Sequence, residues 1–177
     1  MNTQKEKVLK MAKTMNIVLK VISAVLVLMM MAQGVVLSFP LDYSEGTTVL
    51  ADIWGVNIPY SGDMNTFYSS MIITMIRSGI MATIIFIASF IFRDISREYT
   101  PFTKKSSDKI KVISLLLLAN EILLSPLQLF IVMALVPEVN AAVSFNIGNI
   151  IAAVIFFCFS LVFEYGCVLQ KESDEIL

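Results

Sequence analysis

The chain has 177 residues, 57% of them hydrophobic, with 13 Lys and Arg against 14 Asp and Glu and a formal net charge of −1. A soluble domain has about 45–50% apolar residues, so lipid is the solvent that suits most of this surface. There is no His, which excludes imidazole proton relays, Ser-His and Cys-His nucleophile pairs, and most zinc and haem sites. The apolar runs also lack a Ser-Lys, paired-Asp or zinc-protease pattern, so the reading is non-enzymatic, with no catalytic residue, metal or cofactor expected.

Crossing roughly 30 Å of hydrocarbon takes about 20 helical residues, and four runs are long enough. The first covers residues 16–37 and follows a basic leader with Lys5, Lys7, Lys10, Lys13 and Lys20. It resembles a secretory signal, but the leader is long, the apolar core exceeds a signal core, and no clear A-x-A site follows. A retained first helix is therefore expected. Val8, Met11, Ala12 and Met15 continue an apolar stripe at helical spacing, which predicts that this helix begins before the membrane.

The outer connection, residues 38–66, has no Lys or Arg but carries Asp42, Glu45, Asp52 and Asp63. Leu50, Asp52, Trp54, Val56, Ile58 and Tyr60 alternate, punctuated by Gly46, Gly55, Pro59 and Gly62. That pattern predicts a small β-hairpin or extended cap. The acidic residues are read as a solvated loop, with cation binding as the sharper alternative.

The second run covers residues 67–92 and contains Arg77. A loop at 93–109 leads to the third run, 110–136, which contains Glu121. A charge at the centre of a span costs roughly 2.5–3.5 kcal/mol on insertion scales, so each is a candidate site. Both fall near the middle of their spans, and an Arg77–Glu121 ion pair is the simplest way to make them tolerable. Ser70, Thr74 and Arg77 share a stripe on one helix, as Glu121, Ser125 and Gln128 do on the other. Asn120 and Gln33 add amides, and Pro126 frees the carbonyl of Ile122. Between the two spans, Ile95, Tyr99 and Phe102 suit a segment lying in the interface. Pro101 ends any helix there, and Ser107 or Asp108 is the expected cap of the third span.

The fourth run covers residues 142–165, with Asn146, Asn149, Ala153, Ser160 and Glu164 along one face, and the tail is 166–177. Cys158 and Cys167 fall on opposite faces of this helix at about 100° per residue, so they cannot bridge each other. Three readings of the intramembrane polar cluster (Arg77, Asn120, Glu121, Ser125, Gln128, Asn146, Asn149) stay open: helix packing, recognition of a ligand or partner, and ion or proton movement.

Orientation follows from the basic residues. Apart from Arg77, every Lys and Arg lies in the leader, in the stretch 93–111 or at Lys171. The positive-inside rule then places both termini and the central loop in the cytoplasm. Aromatics agree, with Phe39, Tyr43, Trp54, Tyr60, Phe67 and Tyr68 near one interface and Tyr99, Phe102 and Tyr165 near the other. No internal repeat supports an inverted-repeat transporter.

Two segments carry a family resemblance. One is Phe92-Arg93-Asp94-Ile95-Ser96-Arg97-Glu98-Tyr99-Thr100-Pro101-Phe102, a Pro-Phe pair ahead of a basic run. The other runs from Val162 through Gly166, Leu169 and Gln170 into the acidic Glu172 and Asp174. With four spans, this resembles the bacterial membrane family called domain of unknown function 2975. The resemblance implies a small four-span protein of the bacterial cytoplasmic (inner) membrane that partners a small helix-turn-helix DNA-binding protein. The matching positions are Pro101, Phe102, Gly166, Leu169, Gln170, Glu172 and Asp174, read either as a contact between tail and loop or as a partner surface.

The sequence thus predicts an all-α integral membrane protein, a single-domain bundle of four transmembrane helices whose outer loop forms a small β-hairpin. The leading function is an interaction protein or regulator that itself binds no nucleic acid, because no helix-turn-helix pattern fits its cytoplasmic parts. The alternative is a small transporter or immunity-type protein, as a homodimer, that binds a peptide or ion in the bundle. Attraction of the basic loop to the lipid bilayer needs no specific partner.

Overall fold

The computed structural model describes residues 2–38, 64–98, 102–135 and 145–176. They form five helices: α1 (Asn2–Leu37), α2 (Met64–Glu98), α3 (Lys104–Ile122), α4 (Leu124–Leu135) and α5 (Ile147–Ile176). Among the described residues, four segments are long and apolar enough to cross a membrane: Glu6–Leu37, Tyr68–Arg97, Lys104–Ile131 and Ile147–Ser173. This fits a multi-pass membrane protein. No strand occurs among the described residues, and the hairpin expected in the outer connection falls at 39–63, outside them.

Helix α1 has 36 residues, roughly 54 Å at 1.5 Å per residue, against about 30 Å of hydrocarbon. It therefore extends well beyond a span, as its leader stripe predicted. Of that stripe only Ala12 is buried; Val8, Met11 and Met15 are exposed.

The third span is broken. Helix α3 ends at Ile122 and α4 begins at Leu124, with Leu123 in a turn between them. Pro126 lies three residues on, and its missing N–H leaves the Ile122 carbonyl without its usual donor. The chain stays nearly helical through the break, since Leu123 N donates to Ala119 O (3.0 Å) and Leu127 N to Leu123 O (3.2 Å).

Two helix starts differ from expectation. The cap of α3 is Thr103, not Ser107 or Asp108: Ser106 N donates to Thr103 Oγ1 (3.1 Å), while Ser106 N and Ser107 N reach Thr103 O. The Thr103 hydroxyl, just ahead of the first turn of α3, captures the first free N–H groups. Asn146 precedes α5 instead of lying inside a span. Its Oδ1 accepts from Asn149 N (3.3 Å) and its carbonyl from Asn149 N and Ile150 N. Asn is among the strongest N-caps and a mediocre helix interior residue.

The chain packs as two compact units. The first comprises Met1–Ala24, Ala82–Leu118 and Asn146–Leu177; the second comprises Val25–Met81 and Ala119–Phe145.

In the first unit, α3 and α5 run antiparallel along one seam. Ser107 Oγ donates to Ser160 O (2.8 Å) and Ser114 Oγ to Ala153 O (2.9 Å). Donors and acceptors are both spaced by seven residues, two helical turns. Ser107, Ser114, Ala153 and Ser160 are all buried, and small residues let helix backbones approach closely. Ser23 Oγ joins α1 to α2 through Ala82 O (3.0 Å). In the second unit Gly34 faces Met75 and Gly79 faces Met30, so α1 and α2 cross with small residues against flexible thioethers.

Candidate functional site

The first unit holds the loop and the tail that carry the family resemblance. Phe102 lies just before α3 and lodges over Gly166 of α5, where a Cβ would overlap its ring. The same ring lies 5.5 Å from that of Phe163, centroid to centroid. Glycine is needed here because the aromatic ring occupies the place of a side chain. Phe102 and Gly166 extend the α3–α5 seam at its Lys104 end, and the geometry brings them together as a contact between loop and tail.

Beside them opens a cleft of about 380 Å³ lined by Thr103, Lys104, Glu164, Cys167 and Lys171, among others. Gln170 also lines it, whereas Leu169 and Glu172 are exposed. Asp174 belongs to the last turns of α5, and Pro101 lies outside the described residues. Cys158 and Cys167 are free thiols, the first exposed and the second half-buried.

The basic loop is anchored by a charge network at its edges. Asp94, buried near the end of α2, pairs with Lys109 of α3, and Arg93 Nε lies 3.6 Å from its carboxylate. The Arg93 guanidinium also sits 4.4 Å from the centre of the Phe90 ring, a cation–π contact. Phe90 in turn packs edge-on to Phe86 at 4.7 Å. In the sequence Arg93 and Lys109 stand out only as basic residues that bear on orientation, and their pairing with Asp94 goes unseen. Opposite charges at Asp94 and Lys109, flanking a short loop, were the available signal.

The second unit holds the intramembrane polar residues Arg77, Asn120, Glu121, Ser125 and Gln128. Arg77 Nη2 donates to Ser125 Oγ (3.2 Å) and toward Gln128 Oε1 (3.5 Å). These two bonds link the guanidinium to the stripe that includes Glu121, through neutral acceptors. Glu121 is fully buried, and its Oε1 accepts from Asn120 Nδ2 (3.1 Å). Among the described residues of this unit, four buried polar atoms have no hydrogen-bond partner: Gln33 Oε1, Ser70 Oγ, Arg77 Nε and Asn120 Oδ1. Thr74 Oγ1 spends its proton on the Ser70 carbonyl one turn back (2.9 Å). Each unpartnered buried atom carries a desolvation cost of about 1–3 kcal/mol, which a polar guest would relieve.

Asn146 and Asn149, expected with this cluster, belong to the first unit, where they form the start of α5. Among the described residues no group of three or more Cys, Asp or Glu could hold a metal ion. No protein-family model matches the chain, and comparison with curated proteins and with solved structures finds no match for it.

Proposed function

We propose that this chain is a non-enzymatic regulator of the bacterial cytoplasmic membrane, with both termini and the loop 93–109 inside. It holds a small helix-turn-helix DNA-binding protein at the membrane through the junction of loop and tail. The observation that carries this reading is the seating of Phe102 on Gly166, which joins the two segments of the family resemblance into one surface. Tyr165, Val168 and Leu169 are exposed on the same helix and offer apolar contacts to a partner, while Glu172 and Glu175 offer charge. The basic residues hug the membrane face, so DNA contact belongs to the partner.

The test compares detergent-solubilised wild type with a chain lacking residues 169–177, each used to capture proteins from the native host. Recovery of a small DNA-binding protein by wild type alone supports the tether and places the contact at the tail. If neither form, or both equally, brings such a protein down, this reading is lost.

A second reading is favoured by the four buried polar atoms without partners in the second unit. It makes the bundle, as a homodimer, a binding site for a peptide or ion, with Arg77 and Glu121 as its charged residues. Uptake or binding that survives both Arg77→Met and Glu121→Gln would remove it.

A further inference from the structure

We infer that the cleft between the start of α3 and the end of α5 binds a monoanionic phosphodiester, the phosphate of an anionic membrane lipid. Its walls supply two cations, Lys104 and Lys171, and one carboxylate, Glu164. The net balance of one positive charge matches a phosphodiester better than a doubly charged phosphate monoester. Thr103 and Gln170 add polar wall atoms and Phe102 and Val168 apolar ones, a mixture suited to a headgroup whose phosphate continues into glycerol and acyl chains. At about 380 Å³ the cleft is within the usual range for a small-molecule site.

Position points to lipid. Lys104 opens the third apolar segment, Lys104–Ile131, and Lys171 lies near the close of the fourth, Ile147–Ser173. The α3–α5 seam is antiparallel, so the two lysines stand at the same end of their spans, where phosphates of one leaflet lie. Both lysines are exposed, and long lysine stems carry their charge to the headgroup level. The inference does not depend on a cytoplasmic protein partner.

The experiment places the purified full chain in nanodiscs of phosphatidylcholine with increasing phosphatidylglycerol. With Cys158→Ser in the background, Cys167 on the cleft wall is the single thiol. Phosphatidylglycerol is expected to slow its labelling by a water-soluble maleimide. Each of Lys104→Gln and Lys171→Gln should weaken that protection about fivefold, the effect of one lysine at an anionic surface. Lys13→Gln with Lys111→Gln, exposed cations away from the cleft, should leave it unchanged. Lys104→Arg with Lys171→Arg should restore it.

Equal labelling in both lipids, or equal loss of protection in the Lys13 and Lys111 control, overturns the inference. Protection in pure phosphatidylcholine by millimolar glycerophosphoglycerol, a soluble phosphodiester, would overturn the lipid source and assign the same site to a soluble phosphodiester.

Discussion

In the unit that contains α5, buried hydroxyls donate across to a neighbouring helix: Ser23 to Ala82, Ser107 to Ser160 and Ser114 to Ala153. In the unit that contains Arg77, the buried Gln33 Oε1, Ser70 Oγ, Arg77 Nε and Asn120 Oδ1 meet no partner. Exceptions in the first unit are Asn16 Oδ1 and Arg93 Nε, and Arg93 still lies within ion-pair distance of Asp94. The difference separates two uses of polarity in an apolar protein. A hydroxyl whose proton ends on a backbone carbonyl is a fastener, and it does its work in the absence of any ligand. An amide or guanidinium left with spare capacity is instead costly for the helix bundle alone.

Substitutions can break this comparison. The largest effect is expected from Ser160→Leu, which forces a bulky side chain into a fully buried position of the α3–α5 seam. It should destabilise the protein by about 3 kcal/mol, the upper end for overpacking, read by reversible unfolding in mixed micelles. Gly166→Val comes next. Its side chain displaces Phe102 and should cost about 2 kcal/mol, and Phe102→Ala in the same background should add little more because the seat is already lost.

The sign is expected to reverse in the other unit. Gln33→Leu removes a buried acceptor without a partner and should stabilise by about 1 kcal/mol. A clear loss of stability there would show that the amide is a fastener after all. Ser114→Ala is the mildest change, with an expected loss of about 0.6 kcal/mol, the average for a hydrogen bond between membrane helices. If it equals Ser160→Leu in cost, the hydroxyl bond matters more than the close packing.

Much of this architecture was legible in the sequence. Four apolar runs without acceptable alternatives in water gave the spans, and Pro126 marked the broken third one through its missing N–H. The start of α3 was less legible. Thr103, Ser106, Ser107 and Asp108 are all competent caps, and nothing in their side-chain chemistry selects Thr103. Ser107 was then free for the seam, a role that composition could not distinguish from capping. Asn146 followed a hydropathy window into the fourth span, whereas its amide ends up bonded to the backbone at the helix start. Arg77 was readable as a site because its charge is expensive in lipid. Its attachment to Ser125 and Gln128 depended on how two helices align, which no single-chain periodicity encodes.

The repeat of seven along the α3–α5 seam has a consequence for alignment itself. Sliding α5 by two turns, about 10.5 Å, would bring the Ala153 carbonyl opposite Ser107, and that hydrogen bond would form as well as before. The serines are therefore a ruler with equal divisions, good at holding two rods parallel and poor at saying which mark is zero. Phe102 sets the zero. Its ring fits where the partner helix has no side chain, and within reach of the seam Gly166 is that place. The Phe102 ring at the end of the seam thus acts as a key that separates this alignment from the one two turns away.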